Sequence, residues 1–600
     1  MAARPWRRIL QVECAAPTEK PTDVRHQLDK LLRDALGQLA REQGQSEIAA
    51  LDPELQRTRD ARHGDFTTNV AMRVAKSLGS APREFAAALV AQLPPSPIVT
   101  DVQIAGPGFV NFTLAPTAYH DEVRAIVDAG AAYGRSESGR GKRVLLEYVS
   151  ANPTGPLHVG HGRGAGYGAS LANLLRATGH DVDEEYYVND AGRQMDILAL
   201  SVWLRYAELR GKPLEFPPNC YQGDYVKDIA AALAERHGDR LLGDVASLAP
   251  AGGDDDEARL DALIAAAKAT AGEASFRIVF DAALDSVLDD IKNDLDEFGV
   301  RPDNWFSERS LSDSRAVDKA LDALRSAGVL YERDGATWFR TSDYGDDKDR
   351  VVVRENGART YFASDIAYHF EKCQRGYDLL LNVLGADHHG YVPRLRASIE
   401  ALGSNPARLE VQLVQFVVLY RGTVKAQMST RSGEYVTLRE LRDEVGNDAA
   451  RFFYVSRSND QHLEFDLELA KSRSNDNPVY YVQYAHARLA SVLKRLREQG
   501  TPASADADLT ALEQAEESAL MVALSRFPEV VELASQSRAP QQVVQYVRDL
   551  ASLFHSYYNA HRVLVEDARV RDARATLALA VQHVIRNALT LLGVTAPETM

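Results

Sequence analysis

Residues 141–188 read GKRVLLEYVSANPTGPLHVGHGRGAGYGASLANLLRATGHDVDEEYYV, and this stretch decides the fold of the central part of the chain. The apolar run KRVLLEYV (142–149) predicts a strand that is buried on both faces, as in a parallel sheet. ASLANLLRATG (169–179) has the apolar spacing of a helix, and DVDEEYYV (181–188) predicts a second strand. The stretch therefore predicts a β-α-β unit with its glycine-rich turn at the carboxyl end of the first strand, where such sheets bind ligands.

The turn before the helix contains two histidines, His158 and His161, and five glycines at alternate positions from Gly160 to Gly168. A turn that opens a helix presents backbone N–H groups and the positive end of the helix dipole, for which phosphate is the natural ligand. The spacing matches neither the dinucleotide-binding fingerprint nor the P-loop. The two histidines could also bind a metal, but no third ligand is evident nearby, so we predict no metal site. The alternative is a tight crossover whose glycines only permit close packing.

Length and composition indicate a globular chain of several domains. The 600 residues are 45% hydrophobic and 26% charged, and the formal net charge is −16. This charge permits an RNA-binding region but does not demonstrate one. The three cysteines have no paired spacing, which disfavours a disulfide scaffold and indicates a cytoplasmic protein. No apolar run approaches the roughly 18 residues of a membrane span, so we expect no membrane partner.

Changes in pattern along the chain predict four regions. Residues 377–403 show a second strand-loop-helix pattern like that of the opening stretch. Residues 471–600 have helical apolar spacing almost throughout. The fold class is therefore α/β, with a Rossmann-like central domain between an α+β domain and an all-α bundle. The predicted boundaries are a disordered extension at 1–21, an α+β domain at 22–130, the central domain at 141–470 with mostly helical insertions at about 204–311, and the bundle at 471–600.

The segment LHVGH (157–161) looks like the HIGH signature of class I aminoacyl-tRNA synthetases. Its flanks, EYVSANPTGP before it and YYVNDAGRQM after the helix, resemble the arginyl-tRNA synthetases. Further segments agree with that family in the same order: GDFTTNVAM (64–72), AGPGFVNF (105–112), TYFASDIAYH (360–369), LGADHHGYVPR (384–394), DAARFFYVSRS (448–458), NPVYYVQYAHAR (477–488), HSYYNAHRVL (555–564) and the terminal PETM.

The resemblance spans about residues 22–600 and implies a class I catalytic domain, an N-terminal domain that contacts tRNA and a C-terminal anticodon-binding domain. It implies an arginine–tRNA ligase. Such an enzyme activates L-arginine with ATP to arginyl-adenylate and transfers the arginyl group to the 3′ end of tRNA(Arg), releasing AMP and pyrophosphate. A Mg²⁺ ion on the phosphates is expected, held largely by substrate oxygens and water. The family's common form is a monomer.

The resemblance also assigns roles to side chains. His158, Gly160 and His161 would hold ATP, and the two histidines would stabilise the displaced pyrophosphate. Asp365 would take the substrate guanidinium, and Tyr361 would share its face if this segment is helical. For Asp387, which lies beside His388, a ligand role and a loop-structuring role both remain open. The residues that match the family's arginine pocket are Glu147, Ser150, Asn152, Tyr361, Asp365 and Asp387.

The chain departs from the class I pattern where a mobile KMSKS loop would supply lysines to the ATP phosphates. Here QMSTR places Gln427 and Thr430 at the two lysine positions. Lys425, two residues earlier, could substitute, so the cation that neutralises pyrophosphate could be Lys425, Arg431 or magnesium. Three positions keep the pattern and would contact ATP by resemblance: Met428, Ser429 and Arg431, the last of them catalytic.

Aromatic residues at helical spacing in the C-terminal bundle predict either a core stripe or a stacking surface for anticodon bases. By resemblance, Tyr484, Tyr557 and Met600 lie near the RNA, and the N-terminal domain contacts the outer corner of the tRNA.

Two other classes of protein remain open at this stage. One is another class I synthetase, such as the cysteinyl enzyme, whose zinc site would need clustered cysteines. The other is a non-catalytic RNA-binding paralogue, which the missing loop lysines weakly favour and the retained His158, His161, Asn152, Tyr361 and Asp365 disfavour.

Overall fold

The structure, a computed structural model, describes residues 24–600 with the exception of residue 59 and of residues 76–78, 246–254 and 426–434. The extension predicted at residues 1–21 lies outside the described residues, and so do Gln427, Met428, Ser429, Thr430 and Arg431.

The N-terminal part of the chain is an α+β unit. Its four strands pair antiparallel in the order β1-β2-β4-β3. The predicted turn Gly106–Gly108 joins the last two strands, and positive φ angles of 50° and 148° at its two glycines explain why glycine is required there. The elements are α1 (Val24–Gln43), β1 (Gln56–Arg57), β2 (Phe66–Thr68), α2 (Val70–Val74), α3 (Pro82–Ala91), β3 (Val99–Ala105), β4 (Phe109–Leu114) and α4 (Pro116–Ala129).

The strands of the central part form one parallel sheet and two small sheets. They are β5 (Arg143–Glu147), β6 (Asp181–Val188), β7 (Asn304–Ser307), β8 (Leu330–Arg333), β9 (Ala336–Phe339), β10 (Arg350–Val353), β11 (Leu379–Gly385), β12 (Leu409–Val414), β13 (Val417–Arg421), β14 (Val424–Lys425) and β15 (Leu463–Asp466). The parallel sheet has the order β12-β11-β5-β6-β7. The two strands predicted in the opening stretch are confirmed as its neighbouring strands β5 and β6.

The strand β7 lies within residues 204–311, which we predicted as mostly helical. It has only four residues and pairs with the end of β6 over Glu185–Val188. A segment this short carries little periodicity of its own, so only its long-range pairing with β6 makes it a strand. Most of the other described residues between 204 and 311 lie in helices.

Helices lie between and after these strands along the chain. They are α5 (Val159–Ala177), α6 (Arg193–Leu209), α7 (Asp224–His237), α8 (Asp256–Ala271), α9 (Glu273–Glu297), α10 (Arg309–Asp313), α11 (Ala316–Ser326), α12 (Tyr361–Gln374), α13 (Val392–Ala401), α14 (Leu438–Val445), α15 (Asn447–Tyr454) and α16 (Leu467–Lys471). Helix α5 begins directly after His158 and includes all five glycines, so these lie inside a helix rather than in a turn before it.

Residues 472–600 are all described, and they form a helical bundle without strands, as predicted. Its helices are α17 (Pro478–Glu498), α18 (Ala515–Leu524), α19 (Phe527–Gln536), α20 (Gln541–Ala560) and α21 (Ala568–Leu591). The predicted α/β fold class, with an N-terminal α+β unit and a C-terminal all-α bundle, is confirmed. Among the described residues, no helix has the length and apolarity to cross a membrane.

Candidate active site

A cavity of about 570 Å³ lies at the carboxyl ends of β5, β11 and β12. Its wall also includes the first turns of α5 and one face of α12. The predicted position of the ligand site is therefore where the structure has its cavity. Nine of the residues predicted from the sequence line it: Glu147, Ser150, Asn152, His158, Gly160, His161, Tyr361, Asp365 and Asp387.

The chain turns sharply into this cavity directly after β5. Val149 and Ser150 have φ angles of 67° and 41°, which are costly for residues with a β-carbon, and most costly for β-branched valine. The turn is held by the Ser150 hydroxyl, which donates to Glu147 Oε1 at 3.1 Å and accepts the backbone N–H of Tyr187 at 3.1 Å. These two hydrogen bonds therefore hold the turn, and with it Glu147, at the cavity wall.

The two histidines form a reciprocal capping box at the start of α5. His158 Nδ1 accepts the backbone N–H groups of Gly160 at 3.0 Å and His161 at 3.3 Å, and His161 Nδ1 accepts the backbone N–H of His158 at 3.3 Å. The rings stack with their centroids 3.5 Å apart. Because Nδ1 of each ring accepts, the proton of each neutral ring is on Nε2. Each histidine therefore keeps one N–H donor for a ligand.

Both histidines are neutral at physiological pH. Burial lowers the pKa of His158, and burial together with the neighbouring His158 ring lowers the pKa of His161 to about 3. Neutral donors of fixed orientation can bind phosphate oxygens without a change of protonation as negative charge develops.

The glycines of α5 do not have one common role. From the sequence we expected Gly160 to be the glycine that faces ATP. In the structure, a Cβ at Gly160 would lie 2.9 Å from Cε1 of His158, so a side chain here would crowd the His158 ring. Gly164, one turn later, also lines the cavity, and a Cβ there would meet nothing within 4 Å. The surface left open for a ligand is therefore at Gly164, which the sequence did not single out.

Two other glycines of α5 are bare because of packing. A Cβ at Gly162 would lie 2.7 Å from Leu438 Cδ1 and from the Tyr454 hydroxyl, and one at Gly168 would lie 2.3 Å from Tyr148 Cδ2. These distances are well inside van der Waals contact, so the helix packs against its neighbours only without these side chains.

Alanine substitutions along α5 should separate these roles. Gly164→Ala should raise the free energy of unfolding by about 1 kcal/mol, because alanine is the better helix former, and should still weaken ATP binding. Gly168→Ala should lower the free energy of unfolding by about 1–3 kcal/mol through overpacking. Thermal unfolding and equilibrium ATP binding measure the two effects. Unchanged ATP affinity in Gly164→Ala would remove the ligand-facing role from this glycine.

Tyr361 and Asp365 lie on one face of α12 and both line the cavity, as their spacing predicted. The Tyr391 hydroxyl donates to Asp365 Oδ2. Burial raises the pKa of Asp365 to about 7, the bond from Tyr391 opposes the shift, and the nearby Glu147 carboxylate adds to it. A buried carboxylate with a raised pKa is a site prepared for a cation.

Glu308 is a further carboxylate in this wall that sequence reasoning missed. It follows β7, is 7% exposed and lines the cavity. Burial, followed by the charge of Asp365, raises its pKa to about 7. No motif marks this position, because it reaches the cavity only through the pairing of β7 with β6. Its one local signal is an acidic residue at the end of a short strand.

The cavity wall is acidic. Among the described residues that line it, four are carboxylates, at Glu147, Glu308, Asp365 and Asp387, and none is lysine or arginine. Such a wall favours a cationic ligand over an anionic one. Within the described chain, no group of three or more metal-ligating side chains was found.

The affinity of the cavity for a cationic ligand should rise with pH. In the free protein, the raised pKa of Asp365 and of Glu308 means that the stability due to their protonated forms is present below about pH 4 and is lost as the pH rises through 7. A bound cation stabilises both ionised forms. The dissociation constant for arginine should therefore fall roughly 10-fold or more between pH 6 and 8, as measured by calorimetry.

This slope should be smaller in Asp365→Asn, which removes one of the two titrating groups. The groups that face the pair are Glu147, Tyr187, Asp190, Ser364 and Tyr391. A pH-independent affinity in the unsubstituted protein would contradict the expectation.

Other predicted residues lie at the edge of the cavity. Asp387 and His388 both line it, and their side chains are 65% and 54% exposed and 3.7 Å apart. Lys425 is exposed on β14 and is not among the lining residues.

The segment that follows QMSTR is attached directly to the histidines. Thr437 forms an antiparallel bridge with His158, and the backbone N–H of Val159 donates to the Val436 carbonyl at 3.2 Å. The Tyr435 ring packs edge-on against His158 at 5.8 Å. The chain from Tyr435 to Thr437 is therefore held directly beside His158.

The residues predicted to contact tRNA differ in exposure. Met600 is 55% exposed and Tyr484 is half-buried, but Tyr557 is only 1% exposed. The Tyr557 ring therefore offers no free face for stacking in this structure, and its neighbour Tyr558 is the one that reaches the surface. Arg488 lies over Tyr484 at 4.3 Å and over Tyr558 at 5.2 Å. We call Tyr480, Tyr484, Arg488 and Tyr558 the aromatic face of the bundle.

Similarity to known proteins extends over nearly the whole chain. Three family models match: "Arginyl tRNA synthetase N terminal domain" at residues 26–114, "tRNA synthetases class I (R), catalytic domain" at 122–213 and 268–471, and "DALR anticodon binding domain" at 482–600. The arginine–tRNA ligase of Thioalkalivibrio sulfidiphilus is 54% identical over 587 residues, which are 96% of this chain and all of that one. That of Hydrogenovibrio crunogenus is 52% identical over 592 residues, with the same coverage.

A solved structure shows the same fold. The Thermus thermophilus arginyl-tRNA synthetase superposes with a TM-score of 0.71 at 24% identity, covering 96% of this chain and all of that one. The fold, the cavity at the carboxyl ends of the parallel strands and the full-length similarity all point to the same family. The chain belongs to the arginyl-tRNA synthetase family of class I aminoacyl-tRNA synthetases.

Proposed function

We propose that the cavity between α5 and α12 is where this chain, an arginine–tRNA ligase, activates L-arginine with ATP before it charges tRNA(Arg). The observation that carries the proposal is the presence of two kinds of group in one cavity. Two histidines with neutral N–H donors lie on one side, and buried carboxylates with raised pKa values lie on another. The first kind suits a phosphate, and the second suits a guanidinium.

In the first step, a carboxylate oxygen of arginine attacks the α-phosphorus of ATP. The bond from that phosphorus to the bridging oxygen breaks, and pyrophosphate leaves with the electron pair. His158 and His161 donate Nε2–H to phosphate oxygens as charge shifts toward the leaving group. The open surface at Gly164 lets the nucleotide approach the helix backbone. These residues act by positioning and by electrostatic stabilisation, as is general for transfer at phosphorus.

In the second step, a ribose hydroxyl at the 3′ end of tRNA attacks the carbonyl carbon of arginyl-adenylate, and AMP leaves. Arginine is held for both steps by Asp365 and Glu308, whose ionised forms are restored when the guanidinium binds. Glu147, Ser150, Asn152 and Tyr361 line the same pocket.

The leaving pyrophosphate needs positive charge that the described lining residues do not supply. We assign it to Mg²⁺ together with Lys425 or Arg431. By the chemistry of Mg²⁺, such an ion would be held largely by ATP oxygens and water. When bound, such an ion neutralises charge on the phosphates.

The aromatic face of the bundle is proposed to bind the anticodon. Tyr484→Ala should raise the KM for tRNA(Arg) about 10-fold, because stacking of one base contributes roughly 1–3 kcal/mol, while the melting temperature stays the same. Tyr557→Ala should instead destabilise the bundle, by about 3–5 kcal/mol for a large buried aromatic side chain. Aminoacylation kinetics and thermal unfolding of both variants are the measurements. An unchanged KM for tRNA in Tyr484→Ala would exclude this surface.

The proposal is tested by ATP–pyrophosphate exchange with each of the amino acids, with and without tRNA(Arg). We expect exchange with arginine only and a strong dependence on tRNA. Exchange without preference for arginine would contradict the assigned pocket. Membership of the arginyl-tRNA synthetase family, with arginine–tRNA ligases more than 50% identical over the whole chain, decides against both the cysteinyl enzyme and a non-catalytic paralogue.

We further propose that the chain acts as a monomer in the cytoplasm. The family's common form supports the monomer. The two described cysteines, Cys220 and Cys373, are free thiols, which supports a reducing compartment such as the cytoplasm. Sedimentation analysis tests the oligomeric state.

A further inference from the structure

Helix α12 has further polar side chains one and two turns beyond Asp365. Lys372 is fully buried, and its ammonium donates to Glu147 Oε2 on β5. The Tyr368 hydroxyl lies between two carboxylates, 3.1 Å from Glu147 Oε2 and 2.6 Å from Glu185 Oε1. A buried lysine is uncommon, and here its partner is a residue of the proposed arginine pocket.

A continuous set of hydrogen bonds leads from Lys372 back to Asp365. Lys372 Nζ donates to Asn382 Oδ1 at 3.1 Å. Asn382 Nδ2 donates to His369 Nε2 at 3.2 Å, and His369 Nδ1 donates to the backbone carbonyl of Asp365 at 2.9 Å. Every donor in this set has an acceptor only when His369 is neutral and carries its proton on Nδ1. Burial, followed by the charge of Lys372, lowers the pKa of His369 to about 4, which agrees with this tautomer.

The set joins the two sides of the pocket. Glu147 is at the end of β5, Asn382 is in the neighbouring strand β11, and Asp365 is on α12, which contacts both strands through Lys372. Burial alone would raise the pKa of Glu147, but the Lys372 ammonium, with smaller contributions from His369 and the Ser150 hydroxyl, brings the pKa of Glu147 below its ordinary value. An ionised carboxylate in this position can bind a cationic substrate only if it is held in one orientation.

We infer that Lys372 is a positioning residue for arginine recognition, which holds the Glu147 carboxylate in place and, through Asn382 and His369, fixes it relative to Asp365. This inference rests on the proposed role of Glu147 and Asp365 in binding arginine. Lys372 is not among the residues that line the cavity, so its effect on the substrate passes through Glu147.

The same helix provides a matched control. Arg375, three residues after Lys372, pairs at 2.6 Å with Glu185, a fully buried carboxylate on β6. Both pairs join α12 to the central sheet through a long basic side chain, and Tyr368 touches the carboxylate of each. Neither Arg375 nor Glu185 lines the cavity. A merely structural role for Lys372 would make the two substitutions equivalent.

The test compares Lys372→Met and Arg375→Met in the full-length enzyme with tRNA present. We expect Lys372→Met to lower kcat/KM for arginine about 30-fold or more, mainly through KM, with the KM for ATP within about 3-fold. Arg375→Met should lower the melting temperature by a similar amount but change the KM for arginine less than 3-fold, roughly the limit of additivity. Lys372→Arg should restore part of the loss.

A double-variant cycle keeps the inference testable if Lys372→Met folds poorly. Lys372 acts through Glu147, and in a Glu147→Gln background no buried carboxylate is left unpaired. Adding Lys372→Met to that background should therefore change the KM for arginine little further. A further indication is the pH profile of kcat/KM for arginine, in which Lys372→Met should move the acidic limb to higher pH. The groups that face Glu147 are Ser150, from the turn after β5, and four residues of α12: Asp365, Tyr368, His369 and Lys372.

The outcomes are distinguishable. Equal effects of Lys372→Met and Arg375→Met on the KM for arginine, or equal effects of Lys372→Met with and without Glu147→Gln, would overturn the inference. If Glu147→Gln and Asp365→Asn both leave the KM for arginine unchanged, the proposed pocket itself fails. If those two variants raise KM and Lys372→Met does not, only the positioning role fails.

Discussion

Replacing Asp365 by asparagine should lower kcat/KM for arginine by about 100- to 1,000-fold, because truncating one partner of a buried charge pair costs roughly 3–4 kcal/mol. Asparagine preserves the shape of the side chain and its capacity to accept from Tyr391, but it has no charge for a guanidinium. The free energy of unfolding should not fall, because the substitution also removes a carboxylate that is costly to ionise in the free enzyme. Pyrophosphate exchange at varied arginine concentration and thermal unfolding measure the two effects.

Asp387→Asn is the matched control for this prediction. It makes the same chemical change in the same cavity, but the Asp387 side chain is 65% exposed. Exposed charge pairs contribute only about 0–1 kcal/mol, so we expect a change in kcat/KM of no more than about 5-fold. Equal losses in the two variants would mean that the cavity recognises arginine through its general negative potential rather than through Asp365.

Replacing His158 by asparagine should lower the rate of adenylate formation by about 100- to 1,000-fold, the usual loss when one preorganised donor to a developing charge is removed. Asparagine is among the best N-cap residues, so helix α5 should keep its start and the melting temperature should change little. The shorter side chain loses the donor that His158 has at Nε2. Single-turnover adenylate formation, with ATP affinity measured separately, tests whether the loss lies in the rate.

The pH profile provides a second check on the histidines. Because both rings are buried and neutral, we expect no titration of His158 in the pH profile of adenylate formation. The unsubstituted enzyme should therefore have no titration step near pH 6.5 that is absent from His158→Asn. A step of that kind would mean that an imidazolium, rather than a neutral imidazole, binds the phosphates. A large fall in melting temperature with an unchanged rate would reduce His158 to a helix cap.

Much of the site could be predicted from local sequence. The strand, helix and strand patterns in residues 141–188 are strongly periodic, so β5, β6 and the second half of α5 follow from the pattern, whereas the glycine-rich first half of α5 was predicted as a turn. The four-residue spacing of Tyr361 and Asp365 places them on one face of α12 for the same reason. Their ligand roles remain predictions.

Other parts of the site depend on contacts between distant segments. Strand β7 is too short to be recognised alone, and Glu308 reaches the pocket only because β7 pairs with β6 more than a hundred residues away in sequence. The choice between Tyr557 and Tyr558 is similar, because helical spacing identifies a stripe but not which of two adjacent residues faces the core. The residues of QMSTR lie outside the described part of the chain, so their contacts with ATP stay predictions.

The sequence by itself determined the fold class, the edge of the parallel sheet at which the cavity lies, and the family, because these depend on periodicity and on motifs that are contiguous along the chain. The tertiary structure alone decided which glycine of α5 is open to a ligand, which carboxylates share the pocket with Asp365, and that Lys372 holds Glu147. The physical reason is that burial, close approach and pKa shifts are set by neighbours that the fold brings from other segments.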